Sequence, residues 1–411
     1  MTIPKSTTNN QHQSKGTTMS TRTIVEMHAL ETTAAANLNR DDTGSPKTME
    51  YGGVTRARVS SQAWKRPIRQ MFNDLLNPQE LGIRSKKVVE ILSKRIVALD
   101  DSLADEAPDL AEAMLSKGAG IKLAAPRKRK GAEDQEDKRL NQSQYLLFLG
   151  NRQYDALARL AVDVRKESSD LKEAQTAIGK MKKQIKQIIK DDKAIDIALF
   201  GRMVADDTDL NIDAASQFAN AFSVQAVDTE SDFFTAVDDV HNAGDTDDEN
   251  GGDSGAAMLG EIEFNAATYY RFADVDANRL YDTLGDVEAT AKAVGALVKA
   301  FVMSMPQGKS STFAQGTLPD LVVVNIRDTQ AVNMSGAFLT PVKPNYVANA
   351  TKALVRRSKD MDDVYGVTPV KTWVVRIGDA TKDADALAEA VSLRELVDGV
   401  EEVVSSRLSQ E

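Results

Sequence analysis

Seven basic residues, Arg40, Lys47, Arg56, Arg58, Lys65, Arg66 and Arg69, fall between Ala34 and Phe72 against three acids, Asp41, Asp42 and Glu50. The segment is therefore locally basic on a chain of 411 residues whose formal net charge is -10. A uniformly acidic exterior would repel phosphates, so any nucleic-acid site has to be local. Ser60, Ser61 and Gln62 stand where a helix is expected to start, and free N–H groups with the positive dipole end favour anions there. Lys65 and Arg69 are four residues apart, share a helix face and can reach neighbouring phosphates. A merely solvated basic helix explains the same residues, and composition alone favours it.

Other constellations carry less. Gly308-Lys309-Ser310 ends like a phosphate-binding loop, but the leading glycine would fall at Met303 and the loop follows a helix. Between Ala226 and Asp253 there are ten acidic residues and no Lys or Arg. Aligned as a calcium loop from Asp245, that stretch has Asn250 at the glycine position and Ala256 at the bidentate glutamate, so a solvated loop is expected. Asp41 and Asp42 beside Arg40 could hold a magnesium ion for RNA cleavage, with turn and ion-pair chemistry as the plainer reading. The pairs Phe233/Phe234 and Tyr269/Tyr270 offer rings for base stacking, although adjacent strand residues usually send one of the two into the core. With no cysteine, thiolate sites are excluded, which fits a reducing cytoplasm, and with only His12, His28 and His241 a multi-histidine metal site is not expected. No stretch approaches the ~20 apolar residues of a membrane span. A soluble protein without metal or cofactor is expected.

The elements that must position the basic segment follow from periodicity. Val25, Met27 and Ala29 alternate with Glu26 and His28, a half-buried strand, and turn residues Asn39, Asp41, Asp42, Gly44 and Pro46 follow. Trp64, Ile68, Met71, Phe72 and Leu75 then fall at helical spacing behind Ser60 or Ser61 as N-cap, with Pro67 predicting a kink or a later start. Residues from about 80 to 193 read as helical, interrupted over 117–142 by a mobile basic-then-acidic insertion containing Arg127 to Lys130. The lysines around 180–193 are expected to form a solvated face opposite Ile178, Met181, Ile185, Ile188 and Ile189. A strand over Ile195 to Phe200, a short helix near Ala214 to Phe222 and a long hairpin from Phe233 to Phe264 come next. A helix over 287–305, the buried strand Leu321 to Ile326, a strand over Trp373 to Ile377 and a helix over Ala386 to Val404 complete the chain. The first 21 residues read as a disordered tail, with Met19 a candidate downstream start.

Several of these segments also carry a family likeness. Leu38-Asn39-Arg40-Asp41-Asp42, then Gly52-Gly53, then Arg56-Ala57-Arg58-Val59-Ser60-Ser61-Gln62 with Lys65-Arg66, resembles the CasC-type backbone subunit of the type I-E CRISPR surveillance complex, Cascade. Asp196 to Met203, Phe234 to Asp239, Tyr270 to Ala273 and Pro306 to Phe313 continue the resemblance in the same order, over about Ile24 to Asp328. The resemblance implies an α+β, right-hand-like fold: an RRM-like (ferredoxin-like) palm, an inserted helical fingers domain and a β-hairpin thumb. On this chain the palm would comprise 22–75, 194–225 and 267–342, the fingers 76–193 and the thumb 226–266, followed by a C-terminal appendage over 343–411.

The resemblance further implies a non-catalytic subunit that binds CRISPR RNA and presents it to target DNA. About six copies would stack head to tail beside end-capping, large, small and crRNA-processing subunits. Carried over by motif, Arg40, Lys47, Ser60, Gln62, Lys65, Arg66 and Arg69 would hold the RNA backbone, with Met203, Phe234 and Thr235 at a displaced base. The competing expectation is a metal-dependent ribonuclease using Asp41 or Asp42, because related backbone subunits cut RNA.

Overall fold

The computed structural model describes residues 22–126, 139–191, 193–205, 207–237 and 256–410. The tail over 1–21, the cluster from Arg127 to Lys130 and the acidic tip over 238–255 lie outside these residues.

The protein is α+β. The chain starts in strand β1 (Ile24–Ala36), crosses a loop to the hairpin β2 (Thr48–Tyr51) and β3 (Val54–Val59), and enters helix α1 (Ser61–Leu75). A helical lobe follows. It contains β4 (Gly82–Ser85), α2 (Val88–Leu99), α3 (Ala107–Glu112), β5 (Leu123–Ala124), β6 (Gln142–Ser143), β7 (Leu147–Gly150), α4 (Asn151–Glu167), α5 (Leu171–Lys180) and α6 (Lys182–Lys190). The chain returns through α7 (Ile195–Phe200), β8 (Ser216–Phe218) and β9 (Ala221–Ser223), then forms the arm of β10 (Glu230–Val237) and the long β11 (Ala256–Asp276). Helices α8 (Ala277–Leu284), α9 (Val287–Met303) and α10 (Ser310–Phe313) lead to β12 (Leu321–Arg327), α11 (Tyr346–Tyr365), β13 (Lys371–Arg376) and α12 (Leu393–Leu408).

The main sheet is antiparallel, in the order β13-β12-β1-β11-β9-β3-β2, with β8 also pairing β11. Taken as β1, α1, β8/β9, β11, α9 and β12, the centre is a strand-helix-strand-strand-helix-strand unit whose strands lie fourth, first, third, second. Because side chains alternate across a strand, each residue of β1 has an assigned face. Val25, Met27 and Ala29 join Ala273, Val275, Val322, Val324 and Ile326 beneath α1, α8, α9 and α12. Leu30 joins Tyr270, Phe272, Leu321 and Val323 on the other face, beneath Met334, Phe338 and Leu354. The helical lobe has its own core around Leu92, Ile96, Leu110, Leu157 and Ile178.

Each face carries one buried Arg–Glu pair. Under the helices, Arg271 meets Glu31 at 2.5 Å, and its guanidinium lies 3.7 Å from the Trp64 ring centroid of α1 and 4.5 Å from Phe301 of α9. On the opposite face, Arg327 meets Glu26 at 2.7 Å and donates to Asp362 of α11 and to the Val367 carbonyl.

Several expectations are corrected. Ile195–Phe200 is helical, because a six-residue apolar run does not distinguish the two periods and Gly201, at φ 78, ends it. Residues 216–223 are strands, held by register with β11 (Ala273↔Phe218, Tyr270↔Phe222), so sheet pairing overrides local pattern. Helix α1 starts at Ser61 and runs through Pro67 without a later start. Tyr269 and Tyr270 are both buried, because β11 is central and covered on both faces, so neither is a stacking platform. Residues 117–126 and 139–142 are built into the lobe, where β5 pairs β6.

The C-terminal region is not an appendage. β12 is buried along its whole length and needs a second neighbour, which β13 supplies from Leu321↔Arg376 to Ile326↔Lys371. Leu396, Val400, Val404 and Leu408 of α12 enter the same core as α9.

Removing one partner of a buried ion pair strands the other charge, which typically costs about 3–5 kcal/mol. Arg327→Ala is therefore expected to lower unfolding stability by about that amount. Urea titration monitored by circular dichroism measures it, and a loss below about 1 kcal/mol would show that the Glu26–Arg327 pair is not needed to hold this face closed.

Candidate nucleic-acid interface

The loop after β1 is tied down by its own side chains. The Asn37 amide donates to the Gly44 carbonyl at 3.0 Å and to the Glu263 carbonyl at 2.8 Å, joining the loop to β11 where the arm leaves the sheet. Asp41 Oδ1 accepts from the Thr43 hydroxyl at 2.7 Å and from the N–H groups of Thr43, Gly44 and Ser45 at 2.9–3.1 Å. The Thr43 hydroxyl first, then those N–H groups, hold its carboxyl below the usual range. Asp41 thus does turn chemistry, with one oxygen fully committed to the loop.

The same loop sets the start of α1. Asn39 Oδ1 accepts from Ser60 N at 2.9 Å, Asn220 Oδ1 accepts from Ser61 N at 3.1 Å, and Ser60 Oγ caps the helix by accepting from Ala63 N at 3.3 Å. Lys47 N donates to the Asn39 carbonyl and Arg58 N to the Lys47 carbonyl, both at 2.8 Å, so loop, β3 and helix start form one unit. Gly308 completes it. A Cβ there would stand 2.5 Å from the carbonyl oxygens of Asn37 and Leu38, so only glycine admits this approach, which brings Lys309 beside the loop. Phe313 meets Phe264, at the base of the arm, with ring centroids 5.7 Å apart.

Arg40 and Arg66 are exposed, and Lys47, Lys65 and Arg69 are half-buried. None of the five has a carboxylate within ion-pair distance among the described residues. Lys65 Nζ lies 5.3 Å from the Phe218 ring and 6.0 Å from Phe200, and Arg69 stands 5.4 Å from Phe148. Desolvation lowers the pKa of both; for Arg69 the charge of Asp196 works against the shift. Asp196 is itself buried and its carboxyl is pushed up to about 7, chiefly by desolvation, against the Gly82 N–H bond and Arg69.

Arg40, Lys47, Ser60, Gln62, Lys65, Arg66 and Arg69 therefore sit on one continuous loop-and-helix unit. Met203 lies beyond α7 and is 80% exposed, while the preceding Arg202 is buried and bonded to the carbonyls of Leu210 and Ile189. The arm is separate. Phe234 is half-buried over Gly260, where a Cβ would stand 2.4 Å from its ring, and Phe233 is the exposed ring at 67%. Thr235 follows in the same strand. Phe234 pairs four residues along β10 from Glu230, roughly 13 Å from the base of the arm at 3.3 Å per residue.

Sequence reasoning missed Asn37, Asn39 and Asn220 as organisers and Lys309 as a neighbour. Arg56 is a structural residue. It is wholly buried and donates to the carbonyls of Tyr51, Ser223 and Phe338.

The fold is thus α+β, with five cations gathered on one loop-and-helix unit of an acidic chain. Residues 25–399 match the CT1975-like protein family, and the chain belongs to it. The match runs well past Asp328 and takes in most of the C-terminal region. No curated protein matches the sequence. Among solved structures, it is similar to a chain of a CRISPR RNA-guided surveillance complex, pre-nicking, at 29% identity and TM-score 0.76, covering 93% of this chain and 100% of that one. A second chain, of a CRISPR RNA-guided surveillance complex, shares 26% identity at TM-score 0.67, covering 92% and 99% respectively. No helix of the described residues is long and apolar enough to cross a membrane.

Loss of a side-chain N-cap typically costs about 1 kcal/mol. Ser60→Ala is expected to lower stability by that amount in a thermal melt, and a change below ~0.3 kcal/mol would show that the cap does not hold α1.

Proposed function

We propose that the chain is a non-catalytic, crRNA-binding backbone subunit of a type I-E CRISPR surveillance complex, acting in the cytoplasm. The observation that carries the reading is the set of five cations, Arg40, Lys47, Lys65, Arg66 and Arg69, without carboxylate partners among the described residues, on one loop-and-helix unit of a chain of net charge -10. The similarity to chains of CRISPR RNA-guided surveillance complexes supports the choice of RNA as the polyanion.

In this reading the strand order fourth-first-third-second makes the central sheet an RRM-like palm, the helical lobe the fingers and the β10–β11 arm the thumb. A guide-holding protein must accept any spacer, so it contacts phosphates and sugars and leaves sequence to base pairing. Copies would stack head to tail through a heterologous interface, which does not close on itself, alongside other subunits of the complex. Met203 and the arm residues Phe234 and Thr235 would meet a displaced base, with exposed Phe233 as the alternative ring. Metal-dependent cleavage through Asp41 and Asp42 is less favoured, since the Asp41 carboxylate organises its own turn.

Single-stranded RNA binding is expected to weaken with salt by about 0.7 log units per log unit of salt for each neutralised phosphate. Replacing Arg40, Lys65, Arg66 and Arg69 by Ala should flatten that slope by up to about 3 and leave RNA length unchanged in magnesium. Fluorescence anisotropy across a salt series reads the slope, and gel electrophoresis the length. An unaltered slope in the quadruple variant would sink the assignment of the site, and regular cleavage by the unaltered protein would sink the non-catalytic reading.

A further inference from the structure

The sheet face closed by Glu26 and Arg327 is left open at one end. There a cavity of about 500 Å³ lies between the ends of β1, β8 and β11 and the segment after β12, with Gln217, Phe272, Asp274 and Asn333 in its walls together with Arg22, which is held by Asp276, and Arg279, which donates to the Ala214 carbonyl at 3.4 Å. Register fixes how these side chains meet. Asp274 pairs with Glu26 on one neighbouring strand and with Gln217 on the other, so all three project to the same face.

Asp274 is 6% exposed, and among the described residues its carboxylate has neither a hydrogen bond nor an ion pair. The acids around it are already satisfied. Glu26 accepts from His28, Asn325, Arg327 and Val332 N. Asp276 holds Arg22 at 2.7 Å and caps α8 by accepting from Arg279 N. Burial, followed by the charges of Glu26 and Asp276, pushes the Asp274 carboxyl up to about 6, with Arg22 opposing. A carboxylate on the cavity wall without a protein partner is only partly hydrated, and a cation entering the cavity relieves that. The Phe272 ring in the wall gives an organic cation a second favourable contact. Among the described residues no group of three or more carboxylates or histidines could hold a metal ion, so an organic cation fits better than a bare one.

We propose that this cavity binds a guanidinium or primary ammonium group against Asp274, supplied by a free small organic cation or by an Arg or Lys side chain of a second copy of the chain. The site is independent of the basic unit around α1 and of the RNA-binding reading.

Titration calorimetry of the full chain with agmatine tests it. One saturable site is expected, weakened about tenfold or more by Asp274→Asn. Gln217→Lys places an ammonium on the same face from the adjacent strand and should fill the site from within, abolishing agmatine binding. If Asp274→Asn fails to fold, Gln217→Lys decides alone. Absence of binding by the unaltered chain, or unchanged affinity in a folded variant, overturns the proposal. Sedimentation velocity with saturating agmatine separates the two sources. Dissociation of self-associated protein assigns the site to a second copy's side chain, and unchanged sedimentation assigns it to a free cation.

Discussion

Glu26 has no solvent exposure, yet His28, Asn325, Arg327 and the N–H of Val332 all converge on its two oxygens. The last two of these donors matter most for the architecture. Arg327 continues to Asp362 and Val367, and Val332 begins the segment that carries Met334 and Phe338 over the sheet. An isolated carboxylate in such a place would cost several kcal/mol, so it tolerates burial only while the C-terminal region is docked. The pair therefore specifies which segment covers this face, and with it the location of everything on the rim.

Closing this face changes what the sheet can do. Tyr270 and Phe272 occupy positions where an open sheet could offer rings to bases, but Tyr270 packs against Phe338 at 5.0 Å and its hydroxyl accepts from Met334 N. In the proposed function, nucleic acid is consequently left the loop after β1 and α1. There the contacts available are cationic side chains, which read phosphates and are indifferent to base identity. Arg271 supports that edge from beneath. Stacked on Trp64 and bonded to the Phe301 carbonyl, it fixes the helix that carries Lys65, Arg66 and Arg69 relative to the strand that carries the loop.

The parts legible in the sequence are those governed by local rules. Strand β1 follows from the alternation around Val25, although it is buried on both faces and not half-buried, with Glu26 and His28 enclosed as well, and α1 follows from the spacing of Trp64, Ile68 and Phe72 behind the Ser60 cap. The arm follows from strand-like ends around a polar centre. Misreadings arise where distant pairing decides. Residues 216–223 become strands only because β11 lies alongside, and β13 looks detachable until the burial of β12 requires a neighbour. At the site, the basic residues were visible by charge, whereas Asn37, Asn39 and Asn220 were not, since an asparagine bonding a distant backbone leaves no mark in spacing or composition. The ordered motifs pointed to subunits of CRISPR surveillance complexes, chains of which this one resembles in structure, but they could not say which of Phe233 and Phe234 rests on Gly260.

Lys65 and Arg69 bear on whether the basic unit is functional or only a solvated face. A lysine kept for solubility leaves its ammonium in water; Lys65 instead lies half-buried between Phe200 and Phe218 with its pKa lowered by desolvation. Arg69 is held likewise over Phe148, and Asp196, the acid whose charge it feels, is itself pushed up to about 7 by burial. Partly desolvated cations without carboxylate partners are less stable than paired or fully hydrated ones, and folding alone gives no reason to keep them so. Their aromatic supports restrict where the charges can point, so an anion that meets them finds the side chains ordered beforehand and loses less entropy on binding. That arrangement is what the proposed RNA site requires and what a helix that is merely basic would not need.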